Sequence, residues 1–187
     1  MSDPDTPVQV RYVETNSFSN NSDYIIGVTA IGNSVYAIEN VTGTQSGATG
    51  SATLGVVPAS GGEAAYITTD NTGVVWKYTS SNGYLANNTR YLSTNNGSTP
   101  RASGRGSQVT YDSSNKRLSI IYGRQTYYLT NSNGTFGLNT NSTSAAQVRL
   151  FEKATVFNFK YVVQFVSNGH NYQSSKYAEG EVPVYSG

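Results

Sequence analysis

A strand pattern with tyrosines at its ends recurs along this chain, and the recurrence limits the possible folds more than any other feature. Val75-Trp76-Lys77-Tyr78 is followed by Gly83-Tyr84-Leu85 and Arg90-Tyr91-Leu92-Ser93. A second copy runs through Gln108-Val109-Thr110-Tyr111, Arg117-Leu118-Ser119 and Tyr127-Tyr128-Leu129-Thr130. A weaker third copy lies upstream, in Val10-Arg11-Tyr12, Tyr24-Ile25-Ile26 and Val35-Tyr36-Ala37-Ile38. Each copy reads as three short strands separated by polar turns. A unit this small cannot bury its apolar face alone, so the copies must share a core. The turns include Asn82-Gly83, Asn96-Gly97 and Asn133-Gly134, pairs that tolerate the positive φ of tight hairpins. No segment carries the 3.6-residue apolar period of a helix.

Composition agrees with an all-β reading. Charged residues make up only 12% of the 187, and tyrosine is abundant at 15. Tyr and Thr suit a half-buried pleated surface, and Asn and Gly suit turns. Solubility rests on Asn, Ser, Thr and Gly, a composition that favours an exported protein. Cysteine is absent, which excludes disulfides, thiolate metal sites and thiol nucleophiles. Met1-Ser2-Asp3-Pro4-Asp5 has no apolar core of a signal peptide, and no apolar run approaches a membrane span. An exported protein of this kind is expected to be one piece of a longer multidomain chain, with no membrane insertion.

Along the chain, residues 1–7 read as a flexible tail. Strands are expected at Val8–Val13, Tyr24–Ala30, Ser34–Ile38, Ala52–Val57, Ala64–Thr68 and Val74–Tyr78, followed by those of the two clear repeats. Thr42–Gly50 reads as a loop. Ser98–Gly106, with Pro100, Gly104, Gly106, Arg101 and Arg105, reads as a mobile basic loop. Val148-Arg149-Leu150-Phe151 closes the domain, and a boundary falls near Lys153-Ala154. Beyond it, Val156–Phe165 alternates, Asn168-Gly169 turns, and Tyr172–Tyr177 returns. A lone hairpin is marginal in water, so residues 154–187 either dock on the main domain, 8–153, or begin another module.

Little catalytic chemistry is legible. The single histidine, His170, reads as part of the turn Asn168-Gly169-His170-Asn171, and no Gly-x-Ser-x-Gly elbow accompanies it. One His and no Cys leave no zinc set. Asp70-Asn71-Thr72 and Asp112-Ser113-Ser114-Asn115 carry too few carboxylates for full calcium sites and read as turns. Gly104-Arg105-Gly106 lacks any phosphate-loop context. The expectation is therefore a non-enzyme with no cofactor and no metal.

Charge is unevenly spread. Residues 1–70 carry Asp3, Asp5, Glu14, Asp23, Glu39, Glu63 and Asp70 against Arg11. Residues 71–135 carry Lys77, Arg90, Arg101, Arg105, Lys116, Arg117 and Arg124 against Asp112. The two halves can attract one another within the fold, or the basic half can meet an acidic partner. Arginines interleaved with tyrosines can also stack on single-stranded nucleic acid. A pI near 7.8 argues against that use, and no nucleic acid is expected.

Sugar binding suits these residues better. An aromatic ring stacks on the apolar face of a pyranose, and amides and guanidinium groups hydrogen-bond its hydroxyls. Trp76 and Tyr78 alternate in phase with a core-facing strand, so Trp76 is expected in the core. The candidate ligand-binding residues are then in loops and turns: Asn87, Asn88, Arg90, Asn95, Asn96, Arg101, Arg105, Arg124 and Asn133.

These blocks, with Gly134-Thr135-Phe136-Gly137-Leu138-Asn139-Thr140 and Val148-Arg149-Leu150-Phe151-Glu152-Lys153, carry a family likeness. The run from Tyr24 to Lys153 resembles β-trefoil-like modules of large cell-surface, adhesin-type proteins of gut bacteria. The tail, Lys160–Val166 with Asn168-Gly169 and Tyr177-Ala178-Glu179-Gly180, resembles the first half of a β-grasp-type surface repeat. The resemblance implies a β-trefoil-like barrel with an appended C-terminal hairpin, located outside the cell or on its surface. It also implies an adhesion or binding role toward a glycan or another host or cell-surface ligand. A barrel would remove exposed sheet edges; a β-sandwich is the alternative. Ricin-type trefoils carry Gln-x-Trp in each repeat. Here Val74 stands two positions before Trp76, so no sugar site of that family transfers. A spacer without a ligand, or a binder of acidic polymers through the basic half, are the other expected roles.

Overall fold

A computed structural model describes residues 10–154 and the backbone of residues 159–178. The expected N-terminal tail, 1–7, lies outside the described residues. Arg11–Ala154 forms one compact unit. Among the described residues the regular structure is all β, with only two single turns of 3-10 helix, Thr72–Val74 and Ser142–Ser144. Among the described residues no helix is long and apolar enough to cross a membrane.

The strands of this unit follow the turn signals of the sequence. They are β1 (Arg11–Thr15), β2 (Asp23–Thr29), β3 (Ser34–Glu39), β4 (Gly47–Ala48), β5 (Gly50–Gly55), β6 (Tyr66–Thr68), β7 (Trp76–Thr79) and β8 (Tyr84–Asn87). They continue with β9 (Arg90–Ser93), β10 (Arg101–Ser103), β11 (Val109–Asp112), β12 (Arg117–Tyr122), β13 (Gln125–Ser132), β14 (Thr135–Asn139) and β15 (Val148–Ala154). Positive φ at Gly32, Gly83, Asn88, Asn133 and Gly134 marks the hairpin turns. Two expected loops contain strand: β4 falls in 42–50, and β10 falls in the segment read as a basic loop, where Arg101–Ser103 pairs with Tyr91–Ser93.

The expected barrel does not close. One large antiparallel sheet runs β4-β10-β9-β8-β7-β2-β15-β1-β6, with β3 joined to β2 and β5 to β3. A second antiparallel sheet holds β11-β12-β13-β14 in chain order. The two clear repeats behave as expected, since β7-β8-β9 and β11-β12-β13 are both meanders. The upstream copy does not. Residues 16–22 carry the chain away after β1, so that β15 lies between β1 and β2. Phe18 anchors this detour, stacked on Tyr78 with 4.5 Å between ring centroids and edge-on to Tyr24 at 4.9 Å.

Strand β2 is the branch point. One edge pairs with β15; the other pairs first with β7, at Asp23 and Tyr24, and then with β3, at Gly27 to Thr29. Consecutive residues therefore serve two cores. Ile26, Ile38 and Leu150 join Trp76, Leu85, Leu92, Leu118, Ile120 and Leu129 in a core shared by both sheets. Ile25, Ala37 and Phe151 point the other way and pack with Tyr12, Val35, Ile67 and Val74. Burial on both faces explains the unbroken apolar runs of β2 and β15. Each fully buried Ile, Leu or Phe is worth about 1.5–3 kcal/mol.

Residues 159–178 form a further pair of strands. β16 (Phe159–Ser167) and β17 (His170–Ala178) are antiparallel, joined through Asn168 and Gly169, both at positive φ. His170 opens β17 rather than lying in the turn.

Candidate functional site

The most built surface lies on β7 to β10. Lys77 stands opposite Ala86, Ala86 opposite Tyr91, and Tyr91 opposite Ser103. Side chains alternate along a strand. Leu85, Leu92 and Ala102 go to the core, so Tyr84, Tyr91, Arg101 and Ser103 share the opposite face. The rings of Tyr84 and Tyr91 meet edge to face, with centroids 5.5 Å apart at 67°, and both are partly exposed. The cross-strand neighbours of Tyr91, Ala86 and Ser103, are both small.

A strap, Gly104–Gln108, crosses this face on the way to β11. A Cβ on Gly106 would overlap the Tyr84 ring, and one on Gly104 would lie 2.9 Å from Nη1 of Arg90. The hydroxyls of Ser107 and Ser93 are 2.7 Å apart. Val109 then donates its N–H to the Gly83 carbonyl at 2.8 Å. Between the two glycines Arg105 is exposed, and its backbone N–H donates to Ser103 Oγ at 3.3 Å.

The β9–β10 turn ends the face. Asn96 Oδ1 accepts from the N–H groups of Ser98 and Thr99 at 3.0 and 3.1 Å. The Tyr122 hydroxyl donates to the Asn95 carbonyl at 3.0 Å. Gly97 is at φ +69, and a Cβ there would sit 2.5 Å from the Tyr127 ring. Asn95 and Asn96 are thus held against the β12–β13 hairpin, whose turn carries Arg124. Arg101 follows this loop directly.

The other sequence candidates lie elsewhere. Asn87 is 3% exposed. Its amide donates to the carbonyls of Thr72 and Val75 at 2.8 and 2.9 Å, and its Oδ1 accepts from Asn40 at 3.0 Å and Asn88 at 3.3 Å. Every polar atom of Asn87 is engaged inside the protein, so it leaves the ligand-binding set and becomes a structural bracket. Asn88 lies in the β8–β9 turn, and Arg90 opens β9 opposite Asn87, with its Nε donating to the Thr44 carbonyl. Asn133 sits in the β13–β14 turn, where its Oδ1 accepts from the Tyr36 hydroxyl at 3.0 Å. Arg101 and Arg105, both among the sequence candidates, lie near Tyr91 and Ser103; Tyr91, Ser103, Gly104 and Gly106 are not among those candidates. The signal was the Gly-Arg-Gly segment itself, read only against phosphate loops.

The carboxylates that bear on the charge balance are occupied. Glu14 holds Arg149 through two bonds of 2.8 Å. This guanidinium contact is the chief reason why its carboxyl is held below the ordinary value. Asp23 lies 3.7 Å from Lys77 and 3.9 Å from Lys153. Asp112 accepts from Asn115 Nδ2 at 2.7 Å and from the N–H groups of Ser114 and Asn115. The Asn115 amide is the chief cause of its lowered pKa. Among the described residues Arg101, Arg105 and Arg124 have no ion-pair partner within 4.0 Å. Scans of protein-family models, of curated proteins and of solved structures each found no match to this chain.

Proposed function

We propose that this chain is a non-enzymatic binding module of a bacterial surface or secreted protein, and that it recognises glycans on the face of β8 to β10. The observation that carries the proposal is the Tyr84–Tyr91 pair, partly exposed and flanked by Arg101, Ser103 and Arg105. Tyrosine offers a flat apolar ring to a sugar face, and guanidinium and hydroxyl groups are the usual partners of sugar hydroxyls. The cross-strand neighbours of Tyr91, Ala86 and Ser103, are small, so Tyr84 is the large ring beside it. A non-catalytic role is supported by the engagement of Glu14, Asp23 and Asp112 in ion pairs and turns. Kinship with the trefoil-like surface modules is part of this proposal and rests on the strand motifs, with the barrel opened into two sheets. Location outside the cell rests on composition.

A glycan array probed with the whole chain tests it, followed by titration of Tyr91→Ala. Binding that falls at least tenfold in the variant, with the fold retained, supports the reading. Binding left intact in Tyr91→Ala removes this face from it, and an array without any bound glycan favours a ligand-free spacer.

A further inference from the structure

We propose that the saccharide taken by this face is acidic, bearing carboxylate or sulfate groups, and that Arg101 and Arg105 hold those groups on either side of Tyr91. The inference rests on the glycan-binding reading and narrows it to a ligand class.

Three observations converge on it. Residues 71–135 carry seven basic side chains and one acid, Asp112, and that acid is tied into its own turn by Ser114 and Asn115. The positive field of this stretch is therefore not cancelled from within it. Lys77 is the exception, since it faces Asp23 at 3.7 Å.

The strap also presents a charge by construction. Gly106 and Gly104 lie where side chains would collide with Tyr84 and Arg90. Close packing of the strap leaves Arg105 as its exposed charged group. Arg90 donates Nε to the Thr44 carbonyl, and no carboxylate lies within ion-pair distance of it among the described residues. A second cation thus lies beside the strap, at Gly104.

The geometry, finally, suits two anionic groups rather than one. Ser103 is opposite Tyr91 and Arg101 opposite Ser93, so Arg101 and Arg105 stand two residues to either side of the position facing Tyr91. Guanidinium forks bind carboxylate and sulfate through paired N–H donors. A ring stacked on Tyr91 would place its substituents toward both.

Calorimetric titration of the whole chain tests this with three probes: a galacturonic acid trimer, a heparin-derived hexasaccharide and neutral cellohexaose. The expected result is binding of an acidic probe, the first or second arm telling carboxylate from sulfate. Arg101→Gln and Arg105→Gln should each weaken it on the order of tenfold, and affinity should fall steeply with salt. Arg117→Gln, the same charge change at a position opposite Asp112, should leave affinity within about twofold, in keeping with the small worth of exposed charges away from a contact. Equal loss in Arg117→Gln would overturn the assignment to the strap. Salt-insensitive binding of cellohexaose alone would overturn the acidic ligand and leave the glycan reading standing. Binding of a single-stranded oligonucleotide, with no saccharide bound, would overturn both.

Discussion

The indole Nε1 of Trp76 donates to the carbonyl of Ile38 at 3.0 Å, across the gap where the edge of β2 passes from β7 to β3. The sheet forks there, and the carbonyl at the fork has no strand partner of its own to lean on. Trp76 is fully buried and lies opposite Tyr24 in the β7–β2 pairing. Trp76→Phe keeps a ring but removes the donor, leaving the carbonyl unpaired in the core together with a small cavity. A loss of about 2–4 kcal/mol is expected, read as a lower denaturant midpoint at constant slope. A midpoint within error of the parent would mean that the fork carbonyl is satisfied by other means.

That fork also marks the limit of what the sequence conveys. Strands, turns and the burial of Trp76 follow from local signals: alternation in Gln108–Tyr111, positive-φ pairs such as Asn133-Gly134, and apolar runs such as Tyr24–Ile26. Partner choice does not. β1 and β2 are neighbours in the chain and carry strand-like residues, yet β15, more than a hundred residues away in sequence, separates them. The cause is Phe18, a single aromatic in a polar stretch, which packs on Tyr24, Tyr78 and Tyr111 and turns residues 16–22 into a bridge. The candidate site divides in the same way. Arg101 and Arg105 were identifiable as basic residues near glycines. Asn87 read as a turn residue, because its burial depends on Asn40 and Thr72, which only the folded chain brings to it.

Asn87 offers a test that separates structure from ligand binding. Asn87→Ala removes two donors and two accepted bonds from a site that excludes water. It also leaves the Val75 carbonyl without its Asn87 donor, whereas the Thr72 carbonyl keeps the Val75 N–H at 3.3 Å. Buried groups orphaned in this way cost about 1–3 kcal/mol each, so the variant should lose about 2–4 kcal/mol in total. Glycan affinity per folded molecule should stay within about twofold, since a loss of about 0.4 kcal/mol or less is the scale expected for an uninvolved position. Thermal unfolding together with titration at a temperature where the variant is folded reads both. A large affinity loss in a variant that stays folded would return Asn87 to the binding surface.

The strap glycines should differ in a defined order. Neither Gly104 nor Gly106 has a left-handed φ, so alanine is judged by space alone. At Gly106 the obstacle is the Tyr84 ring, which is fixed by Tyr91, and Gly106→Ala should cost about 1–3 kcal/mol. At Gly104 the obstacle is Nη1 of Arg90, the far end of a long side chain that can swing aside. Gly104→Ala should be near neutral, within about 0.5 kcal/mol, because the alanine also lowers the entropy of the unfolded chain. If the two variants melted together, the strap would not be seated on Tyr84.

Glu14 and Arg149 set the acid limb of stability. The pair is bidentate, each side chain about two-thirds buried, and Arg149 also lies over the Phe151 ring at 5.2 Å. Arg149 lowers the Glu14 carboxyl pKa below its ordinary 4.5. For a carboxyl with a depressed folded pKa, the contribution is present above the unfolded value and is lost as pH falls through the folded one. Partial exposure keeps that contribution at no more than about 1 kcal/mol. The melting temperature of the parent should therefore decline below about pH 4.5. Glu14→Gln should start lower at pH 7, decline less, and approach the parent curve at the acid end. Parallel curves from pH 7 to pH 3 would show that the pair contributes nothing to folding, and that the acid limb belongs to the other carboxylates.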